Sequence, residues 1–315
     1  VGRGSHYAPA PSSLARPLDT RPSPAPENSA TSNGGLLLPN QYKTRIPPIG
    51  ISDSFIAATS PTVNSRDMRI FIINLDRATD RWEFIQQAFA DSKYPITRVS
   101  AIDGNTLELP IKDYAESRYR WLHGRPTNPR HVGCYLSHVN AMRAFLETDD
   151  EHALIAEDDL ILQPNFEEAV EEAMTHRKQW NLLRLSGLSE GKPAKIRDLK
   201  NDYSLNISFG RMKGTGAYIV DRKAAQAFVK HLLPMRLPID HAMDREWFCG
   251  LKSLAILPFP ASQVDSGFKS GIQVGKSLKL PAARRWFTTY PYQVVNELSR
   301  YLFRGVGYVR AKAGV

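Results

Sequence analysis

The pattern of polar and apolar positions changes character near Asp67 and again near Phe268. Between those points, short apolar runs alternate with amphipathic stretches. Arg69–Leu75 (RIFIINL) is an apolar, β-branched run, the pattern of a buried strand. Behind it, Thr79 or Asp80 stands as a cap, and Trp82, Ile85 and Phe89 recur at spacings of three and four, which predicts a helix. Ile96–Ile102 reads as a second strand. Val132–Leu146 carries Val132, Leu136, Val139, Met142 and Phe145 on one helical stripe. Ala153–Ala156, Leu182–Leu185 and Ala217–Val220 read as strands, Phe166–Thr175 and Ala224–Leu233 as helices. Strands alternating with helices predict an α/β fold with a Rossmann-type, mostly parallel sheet flanked by helices on both faces.

The flanks differ. Residues 1–66 hold 10 of the 22 prolines and show neither a period of 2 nor one of 3.6. Such a segment buries too little apolar surface to offset its chain entropy, so it is expected as a disordered arm. Its first residues, Val1–Ser13, contain no apolar run of the signal-peptide kind. The expected organisation is this arm, a catalytic domain over 67–268, and a basic, aromatic extension over 269–315.

Composition narrows the class. Of 315 residues, 42% are hydrophobic and 23% charged, as in a soluble globular protein. No stretch approaches the roughly 20 consecutive apolar residues of a membrane-spanning helix. Two cysteines, Cys134 and Cys249, exclude a disulfide scaffold and a four-cysteine zinc site, and they suit a reducing, cytoplasmic compartment. The net charge is +9, but eight Lys or Arg against one Glu lie between Lys276 and Val315. The basic character therefore belongs mostly to the tail, and with no recognition motif beside it, nucleic acid is not an expected partner.

In open α/β sheets, ligands bind at the carboxyl ends of strands. Here one apolar strand ends in three consecutive carboxylates, Glu157-Asp158-Asp159. Converging carboxylates repel one another, and a hard divalent cation, Mn²⁺ or Mg²⁺, relieves the repulsion. If strand geometry persists, Glu157 and Asp159 project to one side and Asp158 to the other. A plain reading, a solvated acidic loop capping the next helix, stands beside this one. Cys134 and His138 lie one helical turn apart, but no third orienting group accompanies them as a nucleophile pair needs. With His131 they also lack the fourth ligand and the usual spacing of a zinc site.

The ordered set Asn74-Leu75-Asp76-Arg77 with Asp80-Arg81-Trp82, Arg98–Gly104, Val132–His138, Glu157–Asp159, Thr215-Gly216-Ala217-Tyr218 and Pro238-Ile239-Asp240-His241 resembles glycosyltransferase family 25. That family includes bacterial lipooligosaccharide galactosyltransferases and is related to collagen galactosyltransferases. The resemblance spans Arg69 to Gln263. It implies a GT-A fold and inverting transfer of a sugar from a nucleotide-sugar donor, usually UDP-galactose, onto a saccharide or glycolipid acceptor such as lipopolysaccharide. On this reading Glu157, Asp159 and His241 hold the metal, and Asp158 touches the donor sugar or metal-bound water. Asp240 is the general base, with Asp244 and Glu246 as alternatives. Asn74, Arg77, Arg81, Asp103, Ser137, His138 and Gly216 line the donor site. Arginine suits phosphate through paired charge-assisted hydrogen bonds. Two rival classes are a metal-dependent nucleotidyltransferase and a non-catalytic saccharide-binding module. The first should carry a Gly-rich phosphate loop near the first strand, and Asn74–Arg81 contains no glycine. The second should lack the acidic cluster.

The tail mixes cations and aromatics in Arg284-Arg285-Trp286-Phe287 and Arg300–Arg304. Val294–Phe303 predicts a helix with Val294, Leu298, Tyr301 and Leu302 on one side. Two readings follow. The tail lies on an anionic membrane surface, which would make the protein peripheral on the inner face of the membrane. Or Trp286, Tyr290 and Leu302 pack onto the catalytic domain and the charges are simply solvated.

Overall fold

The computed structural model describes residues 67–263 and 279–313. The expected arm over 1–66 and the end of the catalytic domain at 264–268 lie outside these residues. Expected strands and helices appear, with shifted ends. β1 spans Met68–Asn74, α1 Thr79–Ala88, β2 Ile96–Ser100 and α3 Pro129–Leu146. α2, Glu116–His123, lies between β2 and α3. β3 is His152–Glu157 and the short β4 is Ile161–Leu162. α4 is Phe166–Thr175, β5 Leu182–Arg184, β6 Pro193–Asp198 and β7 Ser204–Ser208. β8 is Ala217–Asp221, α5 Arg222–His231, α6 Ile239–Met243, β9 Ser253–Leu257 and β10 Ala261–Ser262. α7, Ala282–Phe287, and α8, Thr289–Ala313, close the described chain.

The main sheet has eight strands in the order β2-β1-β3-β8-β5-β9-β7-β6. β1 pairs in parallel with both β2 and β3, and β5 in parallel with β9. β8 runs antiparallel between β3 and β5, and β7 antiparallel between β9 and β6. Six of the eight strands thus point one way. β8 is the exception within the strand–helix series. It follows the β6–β7 hairpin, a pair of strands the sequence pattern did not reveal, and runs in the same direction as β7. The hairpin turns at Asn201 and Asp202, both at positive φ, 53° and 62°, residues whose short polar side chains tolerate the left-handed region.

Strand alternation divides the core. Ile70, Ile72, Leu154 and Ala156 face one way, against Ile85 and Phe89 of the α1 region and Ala169, Val170, Ala173 and Met174 of α4. Phe71, Ile73, Ala153 and Ile155 face the other, against Tyr135, Val139 and Met142 of α3 and Phe228 of α5. Burying each of the larger side chains, the isoleucines, leucines, valines, methionines and phenylalanines, contributes about 1.5–3 kcal/mol. α3 starts three residues before its apolar stripe. Asn128 caps it by accepting from the Arg130 N–H at 3.0 Å, and Pro129 occupies the first turn. α1 begins at Thr79 with Ala78 in the cap position, so neither Thr79 nor Asp80 caps it through its side chain.

The tail docks, through the face opposite to the one expected. The buried residues of α8 are Thr289, Asn296, Arg300 and Arg304. Thr289 Oγ1 donates to the Trp121 carbonyl at 2.8 Å. Arg304 donates from Nε and Nη2 to Glu246 at 2.6 and 2.8 Å, from Nη2 to Asp244 at 2.9 Å, and from Nη1 to the Ser208 carbonyl at 2.5 Å. The charges of Glu246 and Asp244 outweigh burial and hold that guanidinium firmly protonated. Of the three residues that the docking reading packs inward, Trp286 and Leu302 are exposed and Tyr290 is half-buried.

Candidate active site

The carboxyl ends of β1, β3 and β5 and the start of β8 meet at one edge of the sheet, because β8 is reversed. A cavity of about 820 Å³ opens there. Glu157 and Asp159 line one wall. Their carboxylates share one donor, Gln263 Nε2, at 3.0 and 2.7 Å. Asp158, on the opposite side as the alternation requires, is buried away from the cavity lining. Its oxygens accept from Asn74 Nδ2 at 2.7 Å and Arg81 Nη1 at 2.8 Å.

These surroundings set the charges. Burial, followed by the Glu157 charge, pushes Asp159 up to about 6. Burial also raises Asp158. Glu157 feels the same burial, but hydrogen bonding to His138, with that residue's charge and the Gln263 amide, brings it below the ordinary range. Two carboxylates close enough for one to raise the other form a set of hard oxygens that a divalent cation fits.

His241 does not join them. Among the described residues, one group of three His, Cys, Asp or Glu side chains brings its ligand atoms within 4.8 Å of one another, and it is Cys134, His138 and Glu157. His241 lines the cavity on α6 and sets its ring edge-on to His123, with centroids 5.3 Å apart. Neither it nor Asp159 belongs to that group of three. Burial raises the Cys134 thiol well above its ordinary value, so it is no ready nucleophile.

Asp240 lines the cavity. Its Oδ2 accepts from the Gly214 N–H at 3.2 Å and its Oδ1 from the His241 N–H at 2.9 Å. Burial opposes ionisation, but His241, the Gly214 N–H and Arg184 together hold the carboxyl below its usual range. Arg184, fully buried, donates Nη1 to the Gly214 carbonyl at 2.9 Å and so fixes the segment that holds Asp240. The two alternative bases fall away: Asp244 and Glu246 are buried in the ion pairs with Arg300 and Arg304.

The expected donor residues separate into groups. Asn74 is fully buried, donates to Asp158 and the Ala78 carbonyl, and accepts twice from Arg98. Arg81 ties Asp158 to Asp159 from behind. Arg77 and Asp103 pair with each other, and neither lines the cavity. The Asn105 N–H, above all, holds Asp103 below its usual range. Ser137 spends its hydroxyl inside the fold, donating to the Gly133 carbonyl and accepting from the Ile102 N–H. His138, also buried, joins Nδ1 to the Tyr218 hydroxyl at 3.0 Å and sets Nε2 3.4 Å from Glu157. Gly216 makes room for the acidic wall: a Cβ there would sit 2.7 Å from Ser186 Oγ and 2.8 Å from Gln263 Cδ. The set thus shapes and braces the acidic strand tip more than it touches the space in front of it.

The part of the lining that sequence reasoning missed is cationic. Arg125, Arg211, Lys213, Lys279 and Arg285 all line the cavity. Arg125 follows α2, in a stretch outside every motif, and Arg285 lies in the tail. His123 and His131 stand with them, and burial lowers both, His123 to about 3, so each is neutral near pH 7. Gln263 carried no signal beyond its place at the end of the resemblance.

Two carboxylates of the acidic strand tip and five lysines and arginines thus line one cavity at the end of an α/β sheet. Residues 67–243 match the profile of glycosyltransferase family 25, described as an LPS biosynthesis protein family, and the chain belongs to that family. It is 30% identical over 177 residues to a protein named as a glycosyltransferase in Acanthamoeba polyphaga mimivirus, covering 52% of each chain. It is 24% identical over 230 residues to procollagen galactosyltransferase 1 of Danio rerio, covering 68% of this chain and 37% of the relative. The chain thus spans about half or less of the length of these relatives. Among solved structures it is similar to a glycosyltransferase involved in glycosylation of the PBCV-1 major capsid, at 11% identity and a TM-score of 0.27 over 50% of this chain and 61% of that one. Inositol-1-phosphate CTP transferase from T. maritima gives 11% and 0.35 over 75% and 96%.

Proposed function

We propose that this glycosyltransferase moves galactose from UDP-galactose to a hydroxyl of a saccharide or glycolipid acceptor, with inversion and with Mn²⁺ or Mg²⁺ bound. The observation that carries the reading is the pairing of Glu157 and Asp159 through Gln263 in a cavity that Arg125, Arg211, Lys213, Lys279 and Arg285 also line. The galactosyltransferase names of several relatives support the choice of sugar. The free thiols Cys134 and Cys249 support a cytoplasmic site of action.

Glu157 and Asp159 would hold the cation, replacing the amide of Gln263 as their shared partner. Bound there, the cation would neutralise charge on the diphosphate. The chain's own residues do the rest. Arg125, Lys213 and Arg211 stabilise the departing diphosphate as the anomeric C–O bond breaks. The acceptor oxygen attacks the anomeric carbon from the opposite face and forms the new glycosidic bond. Asp240, kept ionised by Gly214 and His241, takes the hydroxyl proton at a carboxylate oxygen. A single displacement needs no covalent nucleophile, which agrees with a thiol at Cys134 that stays protonated.

The test is incubation with a panel of nucleotide sugars and Mn²⁺, with a saccharide acceptor, scoring release of free nucleotide. Release from UDP-galactose above the other donors is expected. Release from none of the panel, or release unaffected by Asp159→Ala, overturns the proposal.

A further inference from the structure

The two sides of α8 are inverted relative to an ordinary surface helix, which buries apolar residues and exposes charge. Its inward side carries Arg300 and Arg304, both essentially fully buried. Its outward side carries Val294, Val295, Leu298, Leu302, Val306 and Val309, each more than half exposed. At 100° per residue these six fall within one third of the helix circumference, and they run along most of a helix about 37 Å long. On α7, Trp286 and Phe287 extend the same exposed apolar character, at 67% and 87% exposure.

The charge that accompanies this ridge has one sign. Between Lys279 and Ala313 the sole acidic residue is Glu297, and it pairs with Arg211 and Arg300. Arg284, Arg310 and Lys312 are exposed. No helix among the described residues is long and apolar enough to cross a membrane. An apolar stripe with cations at its ends and large aromatics beside it is the composition of a helix that lies in the plane of a charged bilayer interface. A second copy of the chain fits less well, because it would bring the same cations to the contact.

We propose that the outward face of α7 and α8 docks on an anionic lipid surface, with Leu298, Leu302, Val295 and Val306 inserted among the acyl chains and Arg284 and Arg310 on the headgroups. The position is useful. Arg285, Thr289 and Gln293 of the same two helices line the cavity from their other side, so docking holds the cavity about one helix diameter from the bilayer surface, near an acceptor carried on lipid. This inference stands apart from the choice of donor sugar, and its test needs no turnover.

The full chain is sedimented with vesicles of phosphatidylcholine alone and with vesicles containing phosphatidylglycerol, at low and high salt. The expected result is strong partitioning to the anionic vesicles, lost at high salt, and weak partitioning to neutral ones. The double variant Leu298→Ser/Leu302→Ser removes the apolar contact. Arg284→Glu/Arg310→Glu reverses the charge and is expected to lower partitioning by more than about tenfold. All four positions are exposed, so both variants keep the parent melting temperature. Partitioning unchanged in both variants, or equal for neutral and anionic vesicles, overturns the proposal. So does a parent dimer in solution, seen by light scattering, that Leu298→Ser/Leu302→Ser dissociates without any lipid binding by the parent, because the face then belongs to a second copy. Nucleotide release with a soluble acceptor stays at the parent level in both variants, and its loss in the parent would bear on the transfer reading alone.

Discussion

Replacing Arg304 by Met tests how the tail is held. The guanidinium is 1% exposed, forks onto Glu246 and reaches Asp244 and the Ser208 carbonyl. Methionine has a similar stem and no charge, so the change removes the cation with little loss of volume. Asp244 keeps Arg300, whose Nη2 lies 3.0 Å from Asp244 Oδ2. Glu246, itself 1% exposed, is left as a buried carboxylate without its cation. Removing one partner of such a pair costs about 3–5 kcal/mol, far more than a solvated pair is worth. For a domain of this size that corresponds to a fall in melting temperature of about 6–20 °C. The assay is urea and thermal unfolding of the parent, Arg304→Met, Glu246→Met and the double variant. The double variant leaves no stranded charge, so its loss should fall short of the sum of the single losses by about 2 kcal/mol or more. A loss below about 1 kcal/mol for Arg304→Met, or strict additivity in the cycle, would refute the reasoning, since either result means that the charges are not desolvated together.

The remaining predictions are shorter. Asp159→Ala is expected to abolish Mn²⁺-dependent turnover with the melting temperature unchanged, and turnover within a few-fold of the parent would sink the ligand assignment. Asp240→Asn keeps the shape but cannot take a proton, so kcat should fall about 10²-fold or more while donor affinity holds; a collapse of donor affinity with normal kcat would make Asp240 a binding group instead. Gly133→Ala places a methyl 2.5 Å from the Ile102 carbonyl and 2.8 Å from the Gly104 N, so thermal unfolding should show a loss of about 1–3 kcal/mol. Burial lowers His152 from 6.5, against a hydrogen bond to Asp67 that raises it. The unfolded chain therefore binds the proton first, and stability falls as pH drops below about 6.5. The melting temperature of His152→Gln should fall less than the parent's between pH 7.5 and 5.5, and equal falls would exclude His152 as the source.

The sequence pattern revealed the sheet where local and tertiary signals agree. β1, β3 and β8 are continuous apolar runs because both of their faces are covered, and α3 carries a stripe that one core needs. The hairpin β6–β7 escaped because β6 lies at the sheet edge with mostly polar, partly exposed residues, so its alternation is faint. The acidic strand tip was legible for a related reason. Three carboxylates at the end of a buried strand make a local conflict, which Gln263, Arg81, Asn74 and His138 meet inside the fold, and the period of two correctly sent Asp158 to the side opposite Glu157 and Asp159.

What the pattern could not supply was which polar residues face each other across the chain. Ser137 and Asn74 belong to the same ordered set of motifs as Glu157, yet their hydrogen-bonding groups are spent on Gly133, Ile102, Asp158 and Arg98. A motif does not distinguish a residue that holds the site's geometry from one that touches the space in front of it. The cationic lining is the converse case. Arg125, Lys213 and Arg285 come from segments distant in sequence and share no spacing, so their meeting is a product of topology alone. α8 joins both lessons. A helical wheel predicts the apolar side inward, because apolar burial is the usual drive for docking. Here the docking side is polar, because Asp244 and Glu246 are already buried beneath it and need Arg300 and Arg304 more than the core needs Leu298 or Leu302. Once the arginines are committed inward, the geometry of a helix leaves the valines and leucines facing out, and a partner outside the fold becomes the remaining means of covering them.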